Sequence, residues 1–427
     1  MRLFMISLLL LVSQIGNTAR TCISYFKLDP KVAELVIEDN FMQWAYWEQK
    51  SNFTPFRKSS LPIKIDAVSV EPGSLNITYL NSAPESLRKT INNGKSINWF
   101  KHPYNTVSNI PHFDNHQTSA TLEVFFTASR SLALKIDGDY FTIKMPTDHP
   151  HGFKGQRQTG KATVKEDILD GINRMEYIER VDRQIGLDPD LILSKEIAMV
   201  ADKATGEGYL FRDLSYMKDG NYYLPALSIP YAGRDIAKLN GESPDVFWKR
   251  HYAEPLGKAK AKLLLRYGLQ METPNSQNML IQLDRNLKPT GVIVFRDISD
   301  TMLVLQVAQA LGEKAIIEKD AVTGVENTKV IMPFWKNSSW RFDEAGKDSF
   351  SRRTLLDWGT AHDQAYLKQI EKELGVNLDR ITYVDNNPVL EQVMADSYVQ
   401  AKLAAYRLKL KVLESRRKTS AVNKKAG

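Results

Sequence analysis

The stretch NSQNMLIQLDRNLKPTGVIVFRD, residues 275–297, holds two apolar runs with a polar pair outside each. Residues 279–283 and 291–295 have strand composition. Between them Asp284, Asn286 and Pro289-Thr290-Gly291 are turn formers. Strands joined by so short a turn pair as an antiparallel hairpin, and a hairpin returns the chain to where it entered. Gln277-Asn278 then faces Arg296-Asp297, whatever the register. An Asn amide oxygen and an Asp carboxylate that converge are hard donors suited to Mg²⁺, which fills its remaining positions with phosphate oxygens and water. Protein kinases hold metal against a nucleotide with such a pair. Polar strand ends that simply reach solvent would account for the same residues, so the hairpin alone leaves both readings open.

A second group of residues lies upstream, in TASRSLALKIDGDYFTIK (127–144) and GFKGQRQTGK (152–161). Arg130 is expected on a strand between Ser129 and Ser131. Lys135 and Lys144 fall on the two arms of a hairpin turned at Asp137-Gly138-Asp139. Arg157 follows in a loop. Arginine forks, a lysine point charge and hydroxyls in this order can wrap a triphosphate. The exposed side of an alternating sheet would also place bases here.

The rest of the chain frames these motifs. A length of 427 residues, with 43% hydrophobic and 25% charged residues, is ordinary for a folded protein of one to three domains. The fold class expected is mixed α/β (α+β): an antiparallel sheet-containing nucleotide-binding core with a mostly helical C-terminal region. Residues 1–19 read as an export signal, 20–115 as an α+β lead-in, 116–300 as the core and 301–427 as helical with a basic tail. Within these, helices are expected at 165–185 and 243–268, strands at 191–200, 208–214 and 329–332. Ser243 is expected to cap the second helix and Gly268 to end it.

MRLFMISLLLLVSQIGNTAR begins with a positive charge, continues with a short apolar core and offers small residues for cleavage after Ala19. With Cys22 as the only cysteine there is no internal disulfide, which fits a bacterial envelope: periplasm or extracellular. No other segment is long enough to span a membrane. Much of the net charge of +7 sits from Arg407 to Lys425, and the near-neutral body argues against a nucleic-acid partner. His362-Asp363 near Trp358 reads as a surface or packing feature, the pair Tyr222-Tyr223 as packed strand residues, and the turn at 385–388 as capping chemistry. There is no P-loop, nucleophile elbow or zinc spacing.

FWKRHYAEPLGKAKAKLLLRYGLQMETPNSQNMLIQLDRNLKPTGVIVFRD, residues 247–297, resembles a stretch of the siderophore synthetases that work without nonribosomal peptide synthetases, the aerobactin-synthetase family. That family has a helix, a short turn, a His-x-Gln-Asn, a hairpin and an Arg-Asp. Upstream it has a Ser-x-Arg-Thr strand, a strand lysine, an arginine and a strand ending in Arg-Glu. Arg130-Ser131, Lys144, Arg157 and Phe211-Arg212-Asp213 fall here in that order, and Asn275 stands where the family carries His. The resemblance spans roughly residues 120–300. It implies Mg-ATP-dependent activation of a small carboxylate as an acyl adenylate, with an amine or hydroxyl then displacing AMP. By the same resemblance Arg130 and Lys144 act catalytically. Ser129, Arg130, Ser131, Lys144, Arg157 and Gln277 hold ATP, and Asn278 and Asp297 bind Mg²⁺. A kinase-like phosphotransferase using the same metal pair, or a non-catalytic exported binding protein that retained the fold, are the alternatives. Each enzyme reading requires Arg130, Lys144, Asn278 and Asp297 to line one cleft.

Overall fold

The computed structural model describes residues 28–52, 62–103, 105, 112, 114, 117–128, 130–146, 165–271, 276–298, 301–312, 350–378 and 396–426. The leader at 1–19, Ser129, Arg157, Asn275, the strand expected at 329–332 and the turn at 385–388 lie outside the described residues.

Helix α1 (Asn40–Ser51) precedes the strands β1 (Ile63–Val70), β2 (Leu75–Tyr79), β3 (Ile97–Phe100), β4 (Thr118–Phe126), β5 (Ser131–Ile136) and β6 (Asp139–Lys144). Helix α2 (Lys165–Ile185) leads to β7 (Leu191–Leu193), β8 (Glu196–Asp202) and β9 (Gly208–Asp213). Eight of these form one antiparallel sheet in the order β2-β8-β9-β6-β5-β4-β1-β3. The β5–β6 hairpin turns where expected. Asp137 and Gly138 both have positive φ, 49° and 82°, as a two-residue turn that follows the strand twist requires.

A smaller sheet, in the order β10-β12-β13-β7, is built from β10 (Tyr222–Pro225), β12 (Met279–Leu283), β13 (Pro289–Phe295) and β7. The strands β11 (Leu269–Met271) and β14 (Thr301–Leu303) pair separately. Residues 191–200, expected as one strand, divide at Ser194-Lys195. There the chain leaves β7, parallel to β13, and enters β8 of the large sheet. Ser194 stitches the sheets together: its N–H donates to the Phe295 carbonyl at 2.7 Å and its hydroxyl to the Asp213 carbonyl at 2.9 Å. Sheet pairing runs across the expected segment limits near 115 and 300, since β1 pairs with β4 and β11 with β14.

Alternation gives the two faces of the large sheet different work. Leu132, Leu134, Phe141, Ile143 and Phe211 point into the main apolar core. Ala133 points the other way, into a cluster with Phe41 and Trp44 of α1, Leu280 and Val294. The second face therefore looks toward α1 and the β12–β13 hairpin.

The helix expected at 243–268 is three pieces: α3 (Pro244–Trp248), a π-helical turn at Lys249–Ala253 and α4 (Glu254–Tyr267). Pro255 has no N–H to donate back into the preceding turn, which is the physical reason the ladder shifts there. Ser243 takes the N-cap position without a side-chain capping bond, while Gly268 closes the helix at φ 67° as expected. The helices α5 (Leu305–Leu311), α6 (Arg352–Leu374) and α7 (Ser397–Ala426) complete the C-terminal part. α4 and α6 approach so closely that a Cβ on Gly257 would lie 2.2 Å from the His362 carbonyl oxygen. Among the described residues no helix is long and apolar enough to cross a membrane.

Candidate functional site

The hairpin forms as its sequence predicts. Met279 pairs with Phe295, Leu280 with Val294 and Ile281 with Ile293, and the Arg296 N–H donates to the Asn278 carbonyl at 3.0 Å. Both strands are mostly apolar because one face, Leu280 and Val294, packs with α1 and the large sheet and the other, Met279, Ile281, Ile293 and Phe295, lies in the main core. Their polar ends meet, and the two members of each pair then do different jobs.

Arg296 turns toward α1. Its guanidinium grips Glu48 with both nitrogens, at 2.7 and 3.1 Å, in the planar fork that arginine forms with a carboxylate. Glu48 also accepts from the Asn52 amide at 2.8 Å, and Asn52 in turn accepts from the Gln277 amide at 2.8 Å. This chain of polar groups, with Glu48 and Arg296 buried, clamps the hairpin end to α1. Gln277, expected on the nucleotide, is engaged in this clamp.

Asp297 turns the other way, toward the large sheet. Its backbone has φ 56°, a left-handed conformation that costs a non-glycine residue roughly 1–2 kcal/mol and often marks a functional position. Its carboxylate accepts from Arg212 and, at 3.4 Å, from Lys144. Arg212 also reaches Glu196 at 3.1 Å. Cross-strand register explains the convergence. Glu196 opposes Arg212, Arg212 opposes Thr142, and Lys144, two residues beyond Thr142, opposes Ser131. Residues so paired share one face, the face that looks toward the hairpin.

Burial sets the electrostatics. It would raise the Asp297 carboxyl, but Arg212, Lys144 and Arg296 hold it well below the usual carboxylate range. Burial would lower the Arg212 guanidinium, yet Asp297 and Glu196 keep it above its ordinary value. Glu196, almost wholly buried, is pushed up by desolvation and partly restored by Arg212. Desolvation lowers Arg130, with Asp297 opposing the effect. Arg130, Lys144 and Arg212 thus surround Asp297 and Glu196, three cations against two carboxylates, which suits an additional anion.

The structure brings Arg130, Lys144 and Asp297 into one site and puts buried Asn278 beside it on the hairpin. Ser131 lies next to Lys144 on the same face. Arg130, expected within a strand, sits in the turn just before β5, where its carbonyl accepts from the Met145 N–H at 3.0 Å. Glu196 is a site residue that sequence reasoning missed, and Arg212, noted there only as part of the Phe211-Arg212-Asp213 motif, was given no role. Their signal was charge at the margins of apolar runs, Glu196 and Asp202 at the two ends of Glu196–Asp202 and Arg212-Asp213 closing Gly208–Asp213, since a buried charge demands a partner. Glu48 and Asn52 gave no such signal.

Among the described residues no cluster of three or more His, Cys, Asp or Glu forms a closed metal cage. One carboxylate, with both of its hydrogen-bonding contacts on Oδ1, and a neighbouring Asn fit an ion such as Mg²⁺, which takes most of its ligands from phosphate and water.

No protein-family model matches the chain, and no curated protein matches it. Among solved structures, the petrobactin biosynthesis protein AsbB from Bacillus anthracis superposes with a TM-score of 0.50. The match covers 87% of this chain and 78% of that one at 11% identity. The chain has a siderophore-synthetase-like fold. Two structures of aerobactin synthetase IucA from a hypervirulent Klebsiella pneumoniae pathotype, one of them ATP-bound, each align over 86% of the chain. Their TM-scores are 0.48, at 12% and 13% identity, with 72% and 80% of those chains covered. A rhoptry kinase from Toxoplasma gondii aligns with a TM-score of 0.26 and 11% identity over 71% of this chain and 82% of that one. It lends nothing to a kinase-like reading. The resemblance carried by residues 120–300 therefore holds at the level of the fold.

Proposed function

We propose that the chain is an ATP- and Mg²⁺-dependent synthetase that activates a small carboxylate as an acyl adenylate and joins it to an amine or hydroxyl. The observation that carries this reading is the convergence of Arg130, Lys144 and Arg212 on Asp297, where the hairpin end meets the large sheet. A siderophore-synthetase-like fold supports it.

In this reading the nucleotide phosphates take up the positive excess. Arg130 offers a planar fork to two phosphate oxygens and Lys144 a point charge. Arg212, fixed between Glu196 and Asp297, holds the Asp297 carboxylate in place. Asp297 and Asn278 would hold Mg²⁺, which supplies charge neutralisation at the phosphates. An oxygen of the substrate carboxylate attacks the α-phosphorus, forming a P–O bond, while the bond to the bridging oxygen breaks and pyrophosphate leaves with the electron pair. An amine or hydroxyl then attacks the acyl carbon, loses its proton, and AMP departs. Arg130 and Lys144 assist the first step by meeting negative charge as it moves onto the leaving oxygen.

The test is the fate of the phosphates. Incubation with Mg-ATP and a panel of di- and tricarboxylates should release pyrophosphate with the carboxylate alone, and AMP only when a diamine or amino alcohol is also present. Release of ADP with a phosphorylated product would replace this reading with a phosphotransferase. A folded protein that neither turns over nor binds ATP would leave a non-catalytic binding protein.

A further inference from the structure

The last helix, α7, is apolar on two opposite faces. Val399, Leu403, Tyr406 and the partly buried Leu410 pack it against α4, α5 and α6. On the far side Tyr398, Ala401, Ala405, Leu408, Val412 and Ser415 are all exposed, and Thr419 continues the same interval. Their spacing alternates three and four, the a/d repeat of a coiled-coil seam, sustained for three heptads or about 30 Å of helix. A helix that already buries one face against its own body normally presents a polar face to water. Of the seven large hydrophobic side chains exposed among the described residues, Tyr398, Leu408 and Val412 lie on this seam.

The charges beside the seam identify what fits it. Lys402, Lys409 and Arg416 occupy the positions along one edge, and Lys411 and Lys418 those along the other. The one acid of the helix, Glu414, lies off the seam with its side chain only 16% exposed, 3.6 Å from Lys418. A second copy of this helix would set lysine and arginine against lysine and arginine, which disfavours self-pairing. A lipid surface calls for a broad face with bulky anchors. This seam is narrow, and its Ala, Ser and Thr let another helix come close.

We propose that the outer face of α7 docks an acidic amphipathic helix of a partner protein. The partner's apolar a/d residues would lie along Tyr398, Leu408 and Val412, and its flanking Asp or Glu side chains would pair with Lys402, Lys409, Arg416 and Lys411. Such edge pairs set partner choice more than affinity.

The full chain can be titrated, by fluorescence anisotropy, with a designed four-heptad peptide carrying Ile and Leu at a and d and Glu at e and g. A control peptide keeps the seam and carries Lys at e and g. The acidic peptide should bind at least about tenfold more tightly than the control, and less tightly as salt rises. Leu408→Asp, on an exposed position, should weaken binding by about tenfold or more without changing the thermal transition. The pair Lys409→Glu and Arg416→Glu should shift preference toward the basic peptide. Equal binding of both peptides, binding of neither, or wild-type binding by Leu408→Asp would overturn the proposal. So would self-association that Leu408→Asp abolishes in sedimentation, or preferential binding to phosphatidylglycerol vesicles.

Discussion

Arg212 joins two carboxylates from different parts of the fold, Glu196 of β8 and Asp297 at the end of the hairpin. Arg212→Ala would strand both with little water to replace the guanidinium. It should destabilise the protein by roughly 3–5 kcal/mol, read from urea unfolding. Lys144 makes a longer contact and keeps 21% of its side chain in solvent. Lys144→Ala should therefore cost less than about 1 kcal/mol of stability, yet lower AMP formation about a hundredfold, because its charge matters most as the phosphates separate. Equal losses from the two variants in both assays would mean that neither residue has the role assigned to it. At this scale the sequence displayed Arg130, Lys144 and Asp297 because they stand at the ends of apolar runs, where a charge looks deliberate. Glu196 opens β8 and Arg212 stands next to the end of β9, but they meet through the register of that strand pair, which the sequence does not display.

The helix pair α4 and α6 shows what patterning could and could not reveal. Periodicity gave a helix over 243–268 but not the close crossing of α4 at Gly257, nor the charges the crossing encloses. Lys260 is buried there, and its ammonium is lowered to about 7, first by desolvation, with Asp363 opposing. His362 is pushed down to about 4 by burial and then by Lys260, while its Nδ1 lies 2.7 Å from Asp363. Between about pH 7 and the ordinary lysine value near 10.4, the unfolded chain holds a proton at Lys260 that the folded chain lacks, so stability rises with pH across that window. Lys260→Met removes this dependence. It should stabilise the protein by about 1–3 kcal/mol at pH 7 and by less at pH 10, measured by urea unfolding at both. A gain that is absent, or that grows with pH, would contradict a neutralised buried lysine. His362-Asp363 was read from sequence as a surface or packing feature; His362 is buried while Asp363 is half-exposed.

Across the whole molecule, the site exists because two sheets face each other. The hairpin, the β5–β6 turn and the helix ends were legible from strand composition and turn chemistry, both local properties. The pairing order of the large sheet, the break at Ser194-Lys195 and the clamp from Gln277 through Asn52 and Glu48 to Arg296 were not, because each joins residues distant in the chain. The central claim is that the cations around Asp297 form one Mg-ATP site. Thermal unfolding of wild type, Asp297→Ala and the Arg130→Ala/Lys144→Ala double variant, each with and without Mg-ATP, tests it directly. At a hundredfold excess over Kd, bound nucleotide should stabilise wild type by about 2.7 kcal/mol, a rise of a degree or more in Tm. Both folded variants should show little or none of that shift. A wild type unmoved by Mg-ATP, or variants that keep the full shift, would contradict the account.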